Sequence, residues 1–470
     1  MKLDKKVKAS AFYLFGNLFD KAIAFVTVPI FTRMLSTEEY GVLNTYLSWV
    51  SIFAIVVGLS LGQTLRSAYY EKKEKLDGYL SSIYTLATLD FILSLGIVCL
   101  LSYFVDFQIP RFMLVLCLTQ SFFQFIRDTY AMKLMMAMDY VKRTLILAIP
   151  NVLVAILSVI LIWRLDYDKY MGRIYSYVFV YAVIGICCMV TQYRRGKTVV
   201  SIGNWKYGLS LSLPLILHSF SCVILSNSDR IMITQFVGAT ETAIYSLVYN
   251  LSLMMTVITS SLENVWIPWF SERINAGDKA SINRVVGPYI LGGAVLTVGV
   301  MYLAPEAIQL MAPEEYWSGK AMIPPLVGSV FVMFLYSISV NLEYFKKSTK
   351  TIARNTITAA LSNLLLNYIF IPRFGATAAA YTTLASYALS LVLHYLDGKR
   401  LDADLFPIQH YLLPVLIVMA ASTLYYPILG LWYIRWLLAA GTAIAAFVYL
   451  FKMGVGSMFV SHKKTGKERN

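Results

Sequence analysis

Charged side chains are scarce in this sequence of 470 residues, at 14% of the total, beside 58% hydrophobic residues and a mean hydropathy of +0.64. Soluble domains carry about 25% charged residues, so an ordinary soluble fold is excluded. Cysteine is rare too. Cys99, Cys117, Cys187, Cys188 and Cys222 all fall in apolar stretches without metal-ligand spacing, so neither a disulfide framework nor a metal site is expected and packing is their role. Metalloprotease, CxxC, nucleophile-elbow and dinucleotide motifs are missing. Gly196-Lys197-Thr198 ends like a phosphate loop, but Thr191 stands where the first glycine belongs. An enzyme, an ATP-driven pump and a bound cofactor or metal are therefore not expected.

What the chain does have is long apolar runs. They predict an all-α polytopic membrane protein of 14 spans, at 9–34, 41–65, 79–105, 112–132, 144–162, 174–193, 209–237, 243–270, 285–311, 321–344, 352–371, 376–396, 411–428 and 431–451. The first is too long for a secretory signal core and lacks a cleavage site, so it is read as retained. A net charge of +14 could point to nucleic acid, but its distribution argues for topology. With the N-terminus inside, 30 Lys and Arg fall on the cytoplasmic side and 8 outside, while Lys21 and Arg230 stay within spans. Both termini are thus expected in the cytoplasm, and no nucleic-acid partner is expected.

Residues 199–400 restart the plan of 1–198. The turn Leu35-Ser36-x4-Gly41 returns as Val237-Gly238-x4-Ala243, and a third copy runs from Phe374 to Tyr381. Two parallel six-helix halves are predicted, with residues 401–470 adding two more helices and a basic tail.

Ionisable groups inside lipid-facing spans are costly and by default mark a pathway. Asp20 and Lys21 lie in the first span beside Asn17. Lys21 reads as a cationic lining group and Asp20 as its regulator or a proton acceptor, the alternative being a structural ion pair. Gln120, Gln124 and Arg127 fall at i, i+4 and i+7, which gives the fourth span one polar face. In the seventh span His218, Cys222, Leu225 and Asp229 share a face, with Asn227 and Arg230 beside it. That alignment keeps open a proton relay from His218 to Asp229. Pro29 and Pro214 are placed to kink the first spans of the two halves. Glu263 and Glu343 read as structural or interfacial groups before coupling ones. The 33 tyrosines read mostly as packing or interfacial residues.

Several stretches carry a family likeness. Phe15-Gly16-Asn17, Leu35-Ser36-Thr37-Glu38-Glu39-Tyr40-Gly41-Val42, Ala243-Ile244-Tyr245 and Asn367-x4-Pro372-Arg373-Phe374-Gly375-Ala376 resemble the polysaccharide flippases of the Wzx type. Their superfamily also holds the multidrug and toxin extrusion transporters and the lipid II flippases. The resemblance implies export of an undecaprenyl-pyrophosphate-linked oligosaccharide across a bacterial cytoplasmic (inner) membrane, for O-antigen, capsule or a similar surface polysaccharide. It further implies a cationic cavity at Lys21, Arg127 and Arg230, with Arg33 and Arg66 near the mouths, and polar lining by Asn17, Gln120, Gln124 and Asn227. Ion coupling would fall to Asp20, His218, Asp229 or Glu263. Polymerase and chain-length proteins are the expected protein partners, and membrane lipid surrounds the chain. Two alternatives stay open: a cation-coupled drug antiporter of the same fold, and a non-transporting scaffold of a polysaccharide assembly complex.

Overall fold

The computed structural model describes Ile23 and residues 25–452 and is all-helical among them. Sixteen α-helices follow in order: α1 (Phe25–Met34), α2 (Thr37–Gly58), α3 (Leu61–Glu71), α4 (Leu76–Leu101), α5 (Arg111–Met136), α6 (Tyr140–Arg164), α7 (Tyr170–Gly196), α8 (Ile202–Phe236), α9 (Ala239–Ser252), α10 (Met254–Asn275), α11 (Lys279–Met311), α12 (Ile323–Phe345), α13 (Thr349–Phe374), α14 (Ala376–Leu401), α15 (Gln409–Tyr425) and α16 (Trp432–Lys452).

The helices form two compact units. One holds the chain up to Ala243 together with Met311–Pro313, and the other holds Ile244–Leu310 and everything from Glu314 onward. In the first unit α5 is central, packed against α2, α3, α4, α6 and α7. In the second, α12 takes that place among α10, α13, α14 and α15.

Ten helical stretches among the described residues are long and apolar enough to cross a membrane, or eleven if the bent α8 is one span, rather than the fourteen expected. The 9–34 run lies largely outside the described residues, which hold only its end, Phe25–Met34. The 41–65 run still gives a span, Thr37–Gly58, but a shorter one, because Leu59 and Ser60 adopt left-handed backbone (φ 45° and 51°) and end α2 before α3 begins. Gly58 ends α2 where it presses on Phe125, and a Cβ there would meet that ring at 2.4 Å. The run at 112–132 forms α5, whose polar side chains are sheltered by its neighbours rather than facing lipid. The 411–428 run yields a helix of only 17 residues, α15.

Lipid-facing stripes are clear elsewhere. On α6, Val141, Leu145, Ile149, Leu153, Ile156, Ile160 and Trp163 are all exposed and recur every three or four residues, one side of a helix. Such a stripe needs hydrocarbon around it, and the chain is a multi-pass membrane protein.

All three turns read from the sequence are present. Ser36 caps α2 in a reciprocal box, its hydroxyl accepting from the Glu39 N–H at 3.1 Å while its own N–H donates to the Glu39 carboxylate at 2.9 Å. Gly238 (φ 130°) separates α8 from α9, and Gly375 (φ 69°) separates α13 from α14. α8 bends by 55° between Leu213 and His218, the interval holding Pro214, which has no N–H to give its helix.

Candidate functional site

Two arginines of the first unit, Arg173 and Arg127, flank a pair of tyrosines on one face of α7. Arg173, Tyr177 and Tyr181 fall at i, i+4 and i+8, so they stack one above another. The Arg173 guanidinium lies 3.6 Å from the centre of the Phe31 ring, and its Nη2 donates to the Tyr177 hydroxyl at 3.2 Å. The Tyr177 and Tyr181 rings stack at 6.1 Å. At the far end Arg127 of α5 lies over Tyr181, its guanidinium carbon 4.5 Å from the ring centre. Eight residues of helix separate the two levels, about 12 Å along the axis.

These arginines hold donors in reserve. Arg127 pairs with its neighbour Asp128 at 2.6 Å, yet its Nη1 is buried with no hydrogen-bond acceptor. On Arg173 both Nε and Nη1 are buried in the same condition. A guanidinium presents five N–H donors, and planar anionic groups such as phosphate or carboxylate are the partners that match them. Tyr40, in the first turn of α2, lies within electrostatic reach of both Arg173 and Arg230 and bonds to the Asn44 side chain.

The residues singled out from the sequence are spread more widely. Asn17, Asp20 and Lys21 lie outside the described residues. Gln120 is buried and its Oε1 accepts from the Tyr46 hydroxyl at 2.8 Å, so it ties α5 to α2. Gln124 is half-buried one turn before Arg127. Asp229 and Arg230 are both buried, and Arg230 Nη1 reaches the Ser226 carbonyl at 3.3 Å and the Asn227 amide oxygen at 3.4 Å. Arg33 is exposed, its Nη1 donating to the carbonyls of Pro29 at 3.0 Å and Met311 at 3.3 Å. Arg66 is exposed on α3. His218 Nε2 lies 3.8 Å from the Cys222 sulfur. Asp229 is eleven residues further along α8, about 16 Å, so the two make no direct relay. Glu263, half-buried on α10, neighbours Tyr289 of α11 in the second unit.

Arg127 thus lies at the α7 face, Arg230 within electrostatic reach of Tyr40 of α2, and Arg66 exposed on α3. Arg173, Tyr177 and Tyr181 were missed from sequence because Arg173, three residues into α7, reads as a loop charge. The i, i+4, i+8 spacing is the signal that finds them.

Comparison with known proteins adds to this geometry. The chain is 24% identical over 360 residues to Lsg locus putative protein 1 of Haemophilus influenzae, covering 72% of this chain and 83% of that one. It is 24% identical over 204 residues to the probable low-salt glycan biosynthesis flippase Agl15 of Haloferax volcanii, 42% of each. In fold it is similar to the lipid II flippase MurJ in an inward closed conformation, with a TM-score of 0.71 at 14% identity over 94% of this chain and 99% of that one. An inward-facing multidrug transporter of the MATE family gives 0.63 at 13% identity, over 82% and 95%. Residues 7–273, more than half of the sequence, match the model of the polysaccharide biosynthesis protein family, and the chain belongs to that family.

Proposed function

We propose that this protein moves an undecaprenyl-pyrophosphate-linked oligosaccharide from the inner to the outer leaflet of a bacterial cytoplasmic membrane by alternating access, supplying a surface polysaccharide such as O-antigen or capsule. The observation that carries the reading is the set of buried, acceptor-less donors on Arg127 and Arg173 beside a tyrosine ladder. A pyrophosphate supplies the missing acceptors, and tyrosine faces suit sugar rings. Family membership supports a polysaccharide substrate. Lys21 and Arg230 complete the cationic path in this reading, with Arg33 and Arg66 at its mouths. Asn17, Gln120, Gln124 and Asn227 supply polar lining, and Asp20, Asp229, His218 or Glu263 carries a coupling ion. The halves 1–198 and 199–400 are the moving bodies, residues 401–470 are an addition, and both termini lie in the cytoplasm. Polymerase and chain-length proteins are the expected partners.

Reconstituted vesicles test this directly. A fluorescent undecaprenyl-pyrophosphate oligosaccharide should become accessible on the far leaflet when the protein is present, and Lys21→Ala or Arg127→Gln should slow that movement. Gradient-driven efflux of organic cations without lipid movement would turn the assignment to a drug antiporter. Neither activity, with lipid-linked intermediates unchanged in a deletion strain, would leave the scaffold reading.

A further inference from the structure

The second unit encloses a titratable pair that the proposed transport path does not use. Glu343 of α12 and His394 of α14 are 0% and 1% exposed, and His394 Nδ1 lies 3.0 and 2.9 Å from the two Glu343 carboxylate oxygens. The Tyr336 ring stacks on the imidazole at 5.4 Å between ring centres.

The pair is buried without being isolated. Asn355 of α13 places its Nδ2 3.5 Å from His394 Nδ1 and 2.9 Å from Asp397 Oδ2. Asp397 in turn pairs with Arg354 and, at 2.9 Å, with Arg400. Those two arginine side chains are 58% and 75% exposed, so the polar chain runs from the centre of the α12–α13–α14 packing to the protein surface at the start of α13 and the end of α14. Around the pair stand Tyr336 from α12, Arg354 from α13, Tyr387, Asp397 and Arg400 from α14, and Tyr411 from α15 near Ser339.

We propose that Glu343 and His394 form a proton-binding site that exchanges with the aqueous side bearing Arg354 and Arg400 through Asp397 and sets the packing of α12 against α14. Nδ1 faces a carboxylate, which wants an N–H, and an amide nitrogen, which wants a bare ring nitrogen. One hydrogen arrangement cannot satisfy both. With a single N–H on the imidazole and Glu343 ionised, the pair carries −1. Uptake of one proton from water, completing an imidazolium against the Glu343 carboxylate, makes the pair neutral, and the titration belongs to the pair. A whole charge appears or vanishes at the contact of α12 and α14, where the surrounding dielectric is low and its effect is large. Histidine is the side chain whose ordinary titration falls between pH 5 and 8.

The decisive measurement is made on the unmutated protein in lipid nanodiscs, labelled with 15N only in its histidine rings. The four histidines, His218, His394, His410 and His462, give few signals, and His394 is identified by its loss in His394→Gln. The expected result is a His394 ring signal that changes between pH 5 and 9, with its midpoint lowered in Glu343→Gln, which removes the carboxylate facing Nδ1, and displaced less in Asp397→Asn. A His394 ring fixed in one protonation state across that range, as a purely structural clasp would be, overturns the proposal even if Glu343→Gln fails to fold. A titration identical in both variants also overturns it. No substrate is needed, so the outcome is independent of whether glycan movement is observed.

Discussion

Arg127 of α5 lies over Tyr181 of α7, 4.5 Å from guanidinium carbon to ring centre, with one buried nitrogen left without an acceptor. The ring contact and the Asp128 pair meet part of the guanidinium's needs and leave Nη1 without an acceptor. Arg127→Gln removes that donor at similar length. Lipid-linked glycan movement in vesicles should fall by about tenfold or more, the equivalent of one lost charge-assisted contact. Arg127→Lys should rescue only in part, because an ammonium neither stacks as a plane nor offers a fork of donors. Full activity in Arg127→Gln would mean that the arginine merely holds α5 to α7.

Arg173 is the second level of the same ladder and permits a sharper test. Arg173→Met keeps apolar contact with Phe31 and Tyr177 while removing the charge. Glycan movement should drop with little change in melting temperature. If both arginines grip one pyrophosphate, the double variant should lose less than the product of the single losses, since residues serving one ligand are coupled. Independent, multiplicative losses would place them on different parts of the path.

Gly41 is fixed by a backbone approach. A Cβ at that position would lie 1.7 Å from the Ala239 carbonyl oxygen, and the neighbouring contact is a hydrogen bond of 2.6 Å between the Thr45 and Thr234 hydroxyls. Gly41→Ala must push α2 away from the start of α9. A loss of about 1–3 kcal/mol is expected, visible as a lower melting temperature of the purified protein. An unchanged melting temperature would show that this contact yields easily.

What could be read in the sequence was what depends on local spacing. The polar face of Gln120 and Arg127 followed from positions i and i+7, and the tight turns at Ser36, Gly238 and Gly375 from short connections that repeat one pattern. The break after Gly58 was not legible, because Leu59 and Ser60 are residues that rarely adopt left-handed backbone and are held there by packing. α5 looked like a membrane span by length, yet its polarity makes sense only once five neighbours surround it. Glu343 read as an interfacial group because its partner His394 lies 51 residues away, a separation no periodicity can bridge.

Arg435 shows the same limit and supports the last prediction. In sequence it reads as an external loop charge, whereas in the structure it is 2% exposed on α16, with Nη1 donating to the Tyr302 carbonyl at 2.8 Å and the guanidinium paired with Glu306, both on α11. α16 otherwise turns large apolar side chains such as Leu437, Ile444 and Phe447 outward, while Trp436 Nε1 adds a hydrogen bond of 3.3 Å to Glu306. Removing one partner of a fully buried ion pair costs about 3–5 kcal/mol. Glu306 keeps 30% of its side chain exposed, so water recovers part of that, and Arg435→Met should cost about 1–3 kcal/mol. The expected readout is local: protease cleavage near α16 should speed up while the helices of the first unit stay protected. Glu306→Gln should cost less, because the Tyr302 carbonyl still receives its hydrogen bond. Equal protection in Arg435→Met and the unmutated protein would show that lipid contact alone keeps α16 in place.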